Sequence, residues 1–208
     1  MARYRGPACR LCRREGIRLY LKGERCYKPK CEIEKRAYPP GQHAQSRRKL
    51  SDYGLQLREK QRTRRYYGLT EAPFREYFAV AERRAGVTGE NLLQLLERRL
   101  DNVVHRLGFG SSRKQARQLV DHGHFLVNGK PCNVPSCLLK PGDVVSVKEP
   151  SRGVPAIAQS LSQAGGRRTP AWLELDPTAM QGRVISWPRR DEIDTPVQEQ
   201  LVVEYYSR

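Results

Sequence analysis

Arg99-Leu-Asp-Asn-Val-Val-His-Arg-Leu-Gly108, continued by Ser112-Arg-Lys-Gln-Ala-Arg-Gln-Leu-Val-Asp-His-Gly-His124, decides the fold of this chain. Leu100, Val103, Val104 and Leu107 recur at helical spacing, and Gly108 follows as a left-handed stop. The same apolar stripe extends back through Leu96, Leu93 and Leu92, so one helix is predicted from Thr88 to Gly108. Ser111 or Ser112 caps a shorter helix, Arg113 to His122, which Gly123 ends. Its Ala116, Leu119 and Val120 face inward, and Arg113, Lys114 and Arg117 are expected outward. Those cations, with the free amides of the helix start, suit phosphate oxygens. His122 and His124 flank its C-terminus, where dipole complement and packing compete with RNA contact as their role.

Downstream the period changes to two. Phe125-Leu-Val127, the Asn128-Gly129 turn, Lys140-Pro-Gly-Asp143, Val145 and Val147 predict a small antiparallel sheet. Further strands are expected at Trp172 to Asp176 and Arg183 to Trp187, with a helical insert between Ser151 and Pro170. Thr195-Pro196-x-Gln198 has the form of a capping box opening a final helix that aligns Val197, Leu201 and Tyr205.

Upstream, Thr70 reads as an N-cap with Pro73 in the first turn, and Phe74, Tyr77, Phe78 and Ala81 recur at helical spacing. From Ser51 another helix is expected, yet between Gln56 and Arg65 only Leu57 is apolar. Arg58, Arg62 and Arg65 share one face; Lys60 and Arg64 share another. Either the helix is solvated or it lies in a groove between nucleic-acid segments, and Tyr66-Tyr67 favours the second. Before it, Tyr38-Pro-Pro-Gly-Gln-His43 and Arg47-Arg-Lys49 form an extended basic connector.

Residues 1–50 hold 15 Lys and Arg against 4 acidic residues, and they hold Cys9, Cys12, Cys26 and Cys31. Two short Cys pairs in an apolar-poor segment fit tetrahedral zinc, with an iron–sulfur cluster as the alternative. Arg10, Arg13, Arg14, Arg25, Lys28 and Lys30 would screen the thiolates while facing a polyanion. Cys132 and Cys137, around a predicted turn, read as small buried thiols.

The net charge of +17 makes nucleic acid the leading partner. Charge is uneven: residues 1–90 carry 23 basic and 10 acidic groups, 91–150 carry 9 and 5, and 151–208 carry 7 and 7. The last part is therefore expected to meet proteins rather than phosphate. No stretch approaches a membrane span, and residues 1–10 lack the apolar core of a signal peptide, so a cytosolic protein off the membrane is expected. A helix-turn-helix also suggests DNA. The basic upstream helix, the absent dimer heptads and the attached sheet favour structured RNA.

The motifs from Arg99 to Asp143 resemble the RNA-binding module named for bacterial small-subunit ribosomal protein four, a module shared with pseudouridine synthases and tyrosyl-tRNA synthetases. The flanks narrow the choice. Arg3-Tyr-x-Gly-Pro7, Cys9-Arg-Leu-Cys-Arg-Arg-Glu-Gly16, Lys22-Gly-Glu-Arg-Cys26, Tyr38-Pro-Pro-Gly-Gln-His43, Leu57-Arg-Glu-Lys-Gln61, Glu199-Gln-Leu201 and Tyr206-Ser-Arg208 resemble the ribosomal family itself, over nearly the whole chain. Ala2 and Ala44 depart from it, and Cys132 with Cys137 lie outside its pattern.

The resemblance implies a structural constituent of the small ribosomal subunit. It would bind ribosomal RNA early in assembly at a multi-helix junction, contact neighbouring ribosomal proteins and messenger RNA, and take part in translational accuracy. It implies residence in the cytoplasmic ribosome, with no homo-oligomer. The expected fold is α+β: a metal-bound basic segment over 1–45, an all-helical domain over 46–90 joined by the terminal helix 195–208, and a helix-turn-helix with antiparallel sheet over 91–194. The RNA-binding residues expected are Arg10, Arg13, Arg14, Arg25, Lys30, Arg47, Arg48, Lys49, Arg58, Lys60, Arg62, Arg64, Arg65, Arg113, Lys114, Arg117, His122, His124 and Lys140. No enzyme is expected. Arg99-Leu100-Asp101 echoes a catalytic Asp motif of pseudouridine synthases, but its periodicity is helical and no segment remains for a catalytic domain. Gly108-Phe-Gly110 lacks the third glycine of a dinucleotide loop. A zinc-containing regulator that binds DNA and an RNA-modifying enzyme are the rival readings.

Overall fold

Local sequence preferences and long-range hydrogen bonds divide the work of shaping this chain. The computed structural model describes residues 3–44, 49–164 and 169–208. Two compact units result, one from residues 1–92 with 195–208 and one from residues 93–194.

In the second unit, α6 (Leu100–Arg106) and α7 (Arg113–Asp121) pack on an antiparallel sheet of β1 (Phe125–Val127), β2 (Lys130–Pro131), β3 (Val144–Val147), β4 (Leu173–Asp176) and β5 (Gln181–Val184). The strand order is β2-β1-β3-β5-β4. Asn128 and Gly129 both take positive φ, 50° and 75°, which is the twist a two-residue hairpin between β1 and β2 requires. The apolar positions of both periods meet in one core, with Leu100, Val103, Val104, Phe109, Ala116, Val120, Phe125, Val145, Ile157 and Trp172 almost wholly buried. A Cβ on Gly110 would lie 2.9 Å from the Ala116 backbone nitrogen, so only glycine lets the turn lie this close to α7. The insert is helical, as α8 (Pro155–Ala164). β5 lies two residues earlier than expected, and Trp187 falls beyond it with the Arg98 guanidinium 3.6 Å above its ring.

The single helix expected from Thr88 to Gly108 is two. α5 (Thr88–Glu97) ends, and Arg99 is extended with φ −64° and ψ 138° before α6 begins. The stripe continues across the break, which is why periodicity missed it. Tertiary hydrogen bonds replace the helical ones: the Leu139 amide donates to the Arg98 carbonyl at 3.0 Å, and the Leu100 amide to the Cys137 carbonyl at 2.8 Å. The Asp101 amide donates to the Pro135 carbonyl at 3.2 Å, so a distant loop caps α6.

The first unit contains α1 (Ala8–Glu15), a 3-10 turn at Gly23–Cys26, α2 (Glu32–Lys35), α3 (Asp52–Tyr66), α4 (Glu71–Glu82) and α9 (Glu199–Tyr206). Ser51 caps α3 by accepting from the Gly54 amide at 3.2 Å. Neither the solvated α3 nor one open on two faces is found. Its Gln56, Glu59, Lys60, Thr63 and Tyr66 are buried, and it packs against α9 and α1. The buried face is polar: Gln56 Nε2 donates to Glu204 at 3.0 Å, and Glu59 accepts from the Gln198 amide at 2.8 Å and from Arg62 at 2.5 Å. Glu59 thus supplies the N-terminal cap of α9 that the capping-box pattern assigns to the Thr195 side chain. The helix starts at Glu199, and Thr195 pairs with the Tyr67 hydroxyl at 3.0 Å instead.

Candidate nucleic-acid interface

The α7 cations correct the sequence reading. Ser112 caps the helix, its hydroxyl accepting from the Gln115 amide at 3.4 Å, and Ala116, Leu119 and Val120 are buried as expected. Arg113 and Arg117 are buried too, at 8% and 5% exposure, rather than facing out. Arg113 Nε donates to Asn102 Oδ1 at 2.8 Å, and Arg117 reaches Asp101 Oδ2 at 3.4 Å. Asp101 also receives Arg99 through two nitrogens, at 3.0 and 2.7 Å. Beside it, Glu97 takes Arg106 through two nitrogens and Asn102 through one, at 2.8, 3.0 and 2.6 Å. Asp101 is therefore a buried acceptor for two arginines. Charge pattern alone could not report these partners, because Asp101 and Asn102 come from the preceding helix. Of the α7 cations only Lys114 is partly exposed.

The α3 cations are likewise engaged. Arg58 contacts Glu15 at 3.3 Å, Arg65 pairs with the same carboxylate, and Arg62 donates to the Glu15 carbonyl at 3.4 Å. Burial pushes the Glu15 carboxyl above the usual carboxylate range, and Arg58, Arg65, Arg62 and Arg14 pull it back. Lys60 pairs with Glu71 at 2.5 Å and lies 4.8 Å from the Tyr205 ring centre, while Arg64 lies 3.5 Å from Glu71. Lys60 is buried, and Arg58, Arg62, Arg64 and Arg65 are half-buried. They anchor α1, α4 and α9 to α3. Glu15 was missed in the sequence; a lone acid inside a basic stretch was its signal.

The open cationic surface lies elsewhere. Arg10, Arg14, Arg25, Lys28 and Lys30 are exposed around the N-terminal cysteines, joined by Lys22, Lys35 and Arg36, which the sequence reading did not single out. Arg25 has a distant carboxylate, Glu32, at 3.9 Å. Arg13 is turned to structure: its Nε donates to the Tyr38 carbonyl at 3.0 Å and its guanidinium lies over the Tyr38 ring. Lys49 is exposed, and Arg47 and Arg48 lie outside the described residues. On the other unit, His122 and Lys140 are exposed, as is Lys130. His124 is half-buried with Nδ1 2.9 Å from Ser151 Oγ, and burial, His122 and Lys148 lower its pKa. It reads as a packing residue.

Cys9 and Cys12 stand one turn apart on α1, Cys26 ends the 3-10 turn and Cys31 precedes α2. All four line one small cavity of about 10 Å³. Among the described residues no group of three or more His, Cys, Asp or Glu converges as a metal site. The donor set nevertheless fits a soft dication. Cys12, Cys26 and Cys31 are buried, and none of the four is in a disulfide. The Lys22 amide donates to Cys26 Sγ at 3.4 Å, and the Leu19 amide bonds Cys12. Burial pushes the Cys12 thiol up to about 11, with a contribution from the other three sulfurs. Thiolates at these four positions would repel one another, and a bound dication would relieve that repulsion.

Comparison with known proteins converges. A family profile described as ribosomal protein S4/S9 N-terminal domain matches residues 3–97, and one described as S4 domain matches residues 98–145. Small ribosomal subunit protein uS4 of Pelotomaculum thermopropionicum is 62% identical over 208 residues, with 100% of both chains covered. The uS4 of Desulforamulus reducens is 61% identical and uS4A of Symbiobacterium thermophilum 62%, each over the same full length.

Proposed function

The chain belongs to the ribosomal protein S4 family, and from that premise we propose that it is a structural constituent of the small ribosomal subunit that binds ribosomal RNA directly. The observation that carries this reading is full-length identity above 60% to proteins so named, on a chain with net charge +17. No helix is long and apolar enough to cross a membrane among the described residues. Its place is the ribosome of the cytoplasm.

The RNA grip is centred on the exposed cations of residues 3–44 with Lys49, and is completed by His122, Lys130 and Lys140 on the other unit. The buried arginines of α3 and α7 shape the surface rather than touch phosphate. Residues 151–208, with 7 basic and 7 acidic groups, face neighbouring ribosomal proteins. Binding early at a multi-helix junction, contact with messenger RNA and a part in accuracy are the finer steps this placement is consistent with. The chain acts by binding and positioning, without catalysis.

Filter binding against small-subunit ribosomal RNA and duplex DNA tests the reading. Affinity for the RNA should fall with salt at about 0.7 to 0.9 in log–log slope per phosphate neutralised, and duplex DNA should not compete. Equal competition by DNA would favour a DNA-binding regulator.

Zinc on Cys9, Cys12, Cys26 and Cys31 completes the proposal. Bound there, the ion would neutralise the thiolate repulsion and tie α1, the 3-10 turn and α2 together where apolar burial is scarce. Metal analysis should find one equivalent, and Cys9→Ser should expose residues 3–44 to protease. Less than about half an equivalent, with unchanged protease protection, contradicts it.

A further inference from the structure

Between Cys12 and Cys26 the chain buries Leu19 and Leu21 and leaves Tyr20, between them, half-buried. Tyr20 takes φ 51°, in the left-handed region that a bulky L residue seldom occupies and that persists only where the surroundings impose it. The Tyr27 ring stacks on it, with centroids 4.8 Å apart and planes inclined by 28°. Tyr27 is placed by its own backbone, since its amide donates to the Glu24 carbonyl at 3.0 Å where the 3-10 turn ends. Main chain therefore sets both rings. A stack that served only to pin the turn would bury its outer ring, yet Tyr27 remains 60% exposed, so its side away from Tyr20 meets solvent.

The charge around it selects the occupant. Arg25, Lys28 and Lys30 are exposed on either side of Tyr27 in the chain, and Lys22 is exposed just before the turn. A partner protein's arginine, a common occupant of a tyrosine face, would be repelled by these cations. A nucleotide brings a flat base to the ring and phosphates to the cations.

We propose that the outer face of Tyr27 is a stacking platform for one unpaired base of the bound RNA, with Tyr20 as its fixed support and Arg25 and Lys28 at the adjoining phosphates. The inference rests on the RNA-binding reading and adds to it a contact that needs an unstacked nucleotide, in a bulge, loop or junction, which a continuous duplex does not offer. Because the rings are stacked before RNA arrives, little ordering remains for binding to impose.

Filter binding of the full-length protein to small-subunit ribosomal RNA across a salt series tests this. Tyr27→Leu should weaken binding about 5- to 100-fold while the log–log salt slope stays that of the parent, because a stack releases no counterions. Lys28→Gln is the contrast, and should lower the slope by about 0.7 to 0.9 for the phosphate lost. Tyr27→Phe keeps the ring and should bind like the parent. Protease protection of residues 3–44 reports whether each variant keeps the segment folded. Tyr27→Trp supplies a readout that does not depend on the Leu variant: its emission should be quenched by the RNA beyond any change in the parent, whose tryptophans are Trp172 and Trp187. The proposal is overturned if Tyr27→Leu binds like the parent, if it loses affinity with a lowered slope, if Tyr27→Phe falls as far as Tyr27→Leu, or if the new tryptophan is not quenched. A parent that does not bind this RNA overturns the RNA-binding reading itself and the platform with it; a parent that binds while Tyr27→Leu binds equally overturns the platform alone.

Discussion

Arg117 and Arg14 carry the same charge and do opposite work. Arg117 lies 5% exposed against Asp101, whereas Arg14 stands in solvent on α1. Removing the first leaves a buried carboxylate short of a partner, and removing the second leaves nothing behind. Asp101 keeps Arg99, so Arg117→Ala should cost about 1 to 3 kcal/mol of stability. Replacing Arg14 and Lys30 by Ala should move stability by less than about 0.5 kcal/mol at each site. The same two replacements should weaken RNA binding by about 1 to 3 kcal/mol for each phosphate that the side chain holds. Thermal melts beside filter binding separate the two: an Arg117→Ala protein that melts like the parent but binds RNA weakly would return this arginine to the RNA surface. Sequence made the cations visible without their partners. A helical wheel places Arg113 and Arg117 opposite Leu119, but only the packing of α6 on α7 brings Asp101 and Asn102 up to that face.

At the level of elements, α3 shows how a helix without an apolar stripe is held in place. Its contacts are reciprocal: Glu15 of α1 takes Arg58 and Arg65, Glu71 of α4 takes Lys60, and Glu59 caps α9. Buried ion pairs of this kind contribute little net stability but fix which helix lies where. Glu15→Gln should loosen α1 specifically, costing about 1 to 3 kcal/mol because the two arginines are partly solvated. Limited trypsin digestion should then cut at Arg13 and Arg14 earlier than elsewhere; uniform digestion, or none faster than the parent, would show that α1 is held otherwise. Elements whose cause is local were legible in advance. The Ser112 cap, the Gly108 and Gly123 stops and the Asn128-Gly129 hairpin all fall where the residues require. The break between α5 and α6, the late start of α9 and the short helix α1 were not. Each depends on hydrogen bonds or side chains from residues far along the chain, to which a periodic pattern is blind.

For the whole molecule, the division of charge is the organising fact. Residues 1–90 carry 23 basic and 10 acidic groups, and once the α3 cations are matched internally the open positive charge of this stretch lies on residues 3–44 and Lys49, with Arg75, Arg83 and Arg84 exposed on and after α4. One basic arm and a separately cored module with its own exposed cations suit an RNA that offers phosphates at more than one place. The family was readable from motifs spread over the chain, and the division of labour among its cations was not. Sedimentation of tagged protein from a lysate tests the central claim most directly. The protein should travel with the small ribosomal subunit at moderate salt and leave it only as salt is raised. Protein that remains at the top of the gradient while intact small subunits sediment without it would contradict the account.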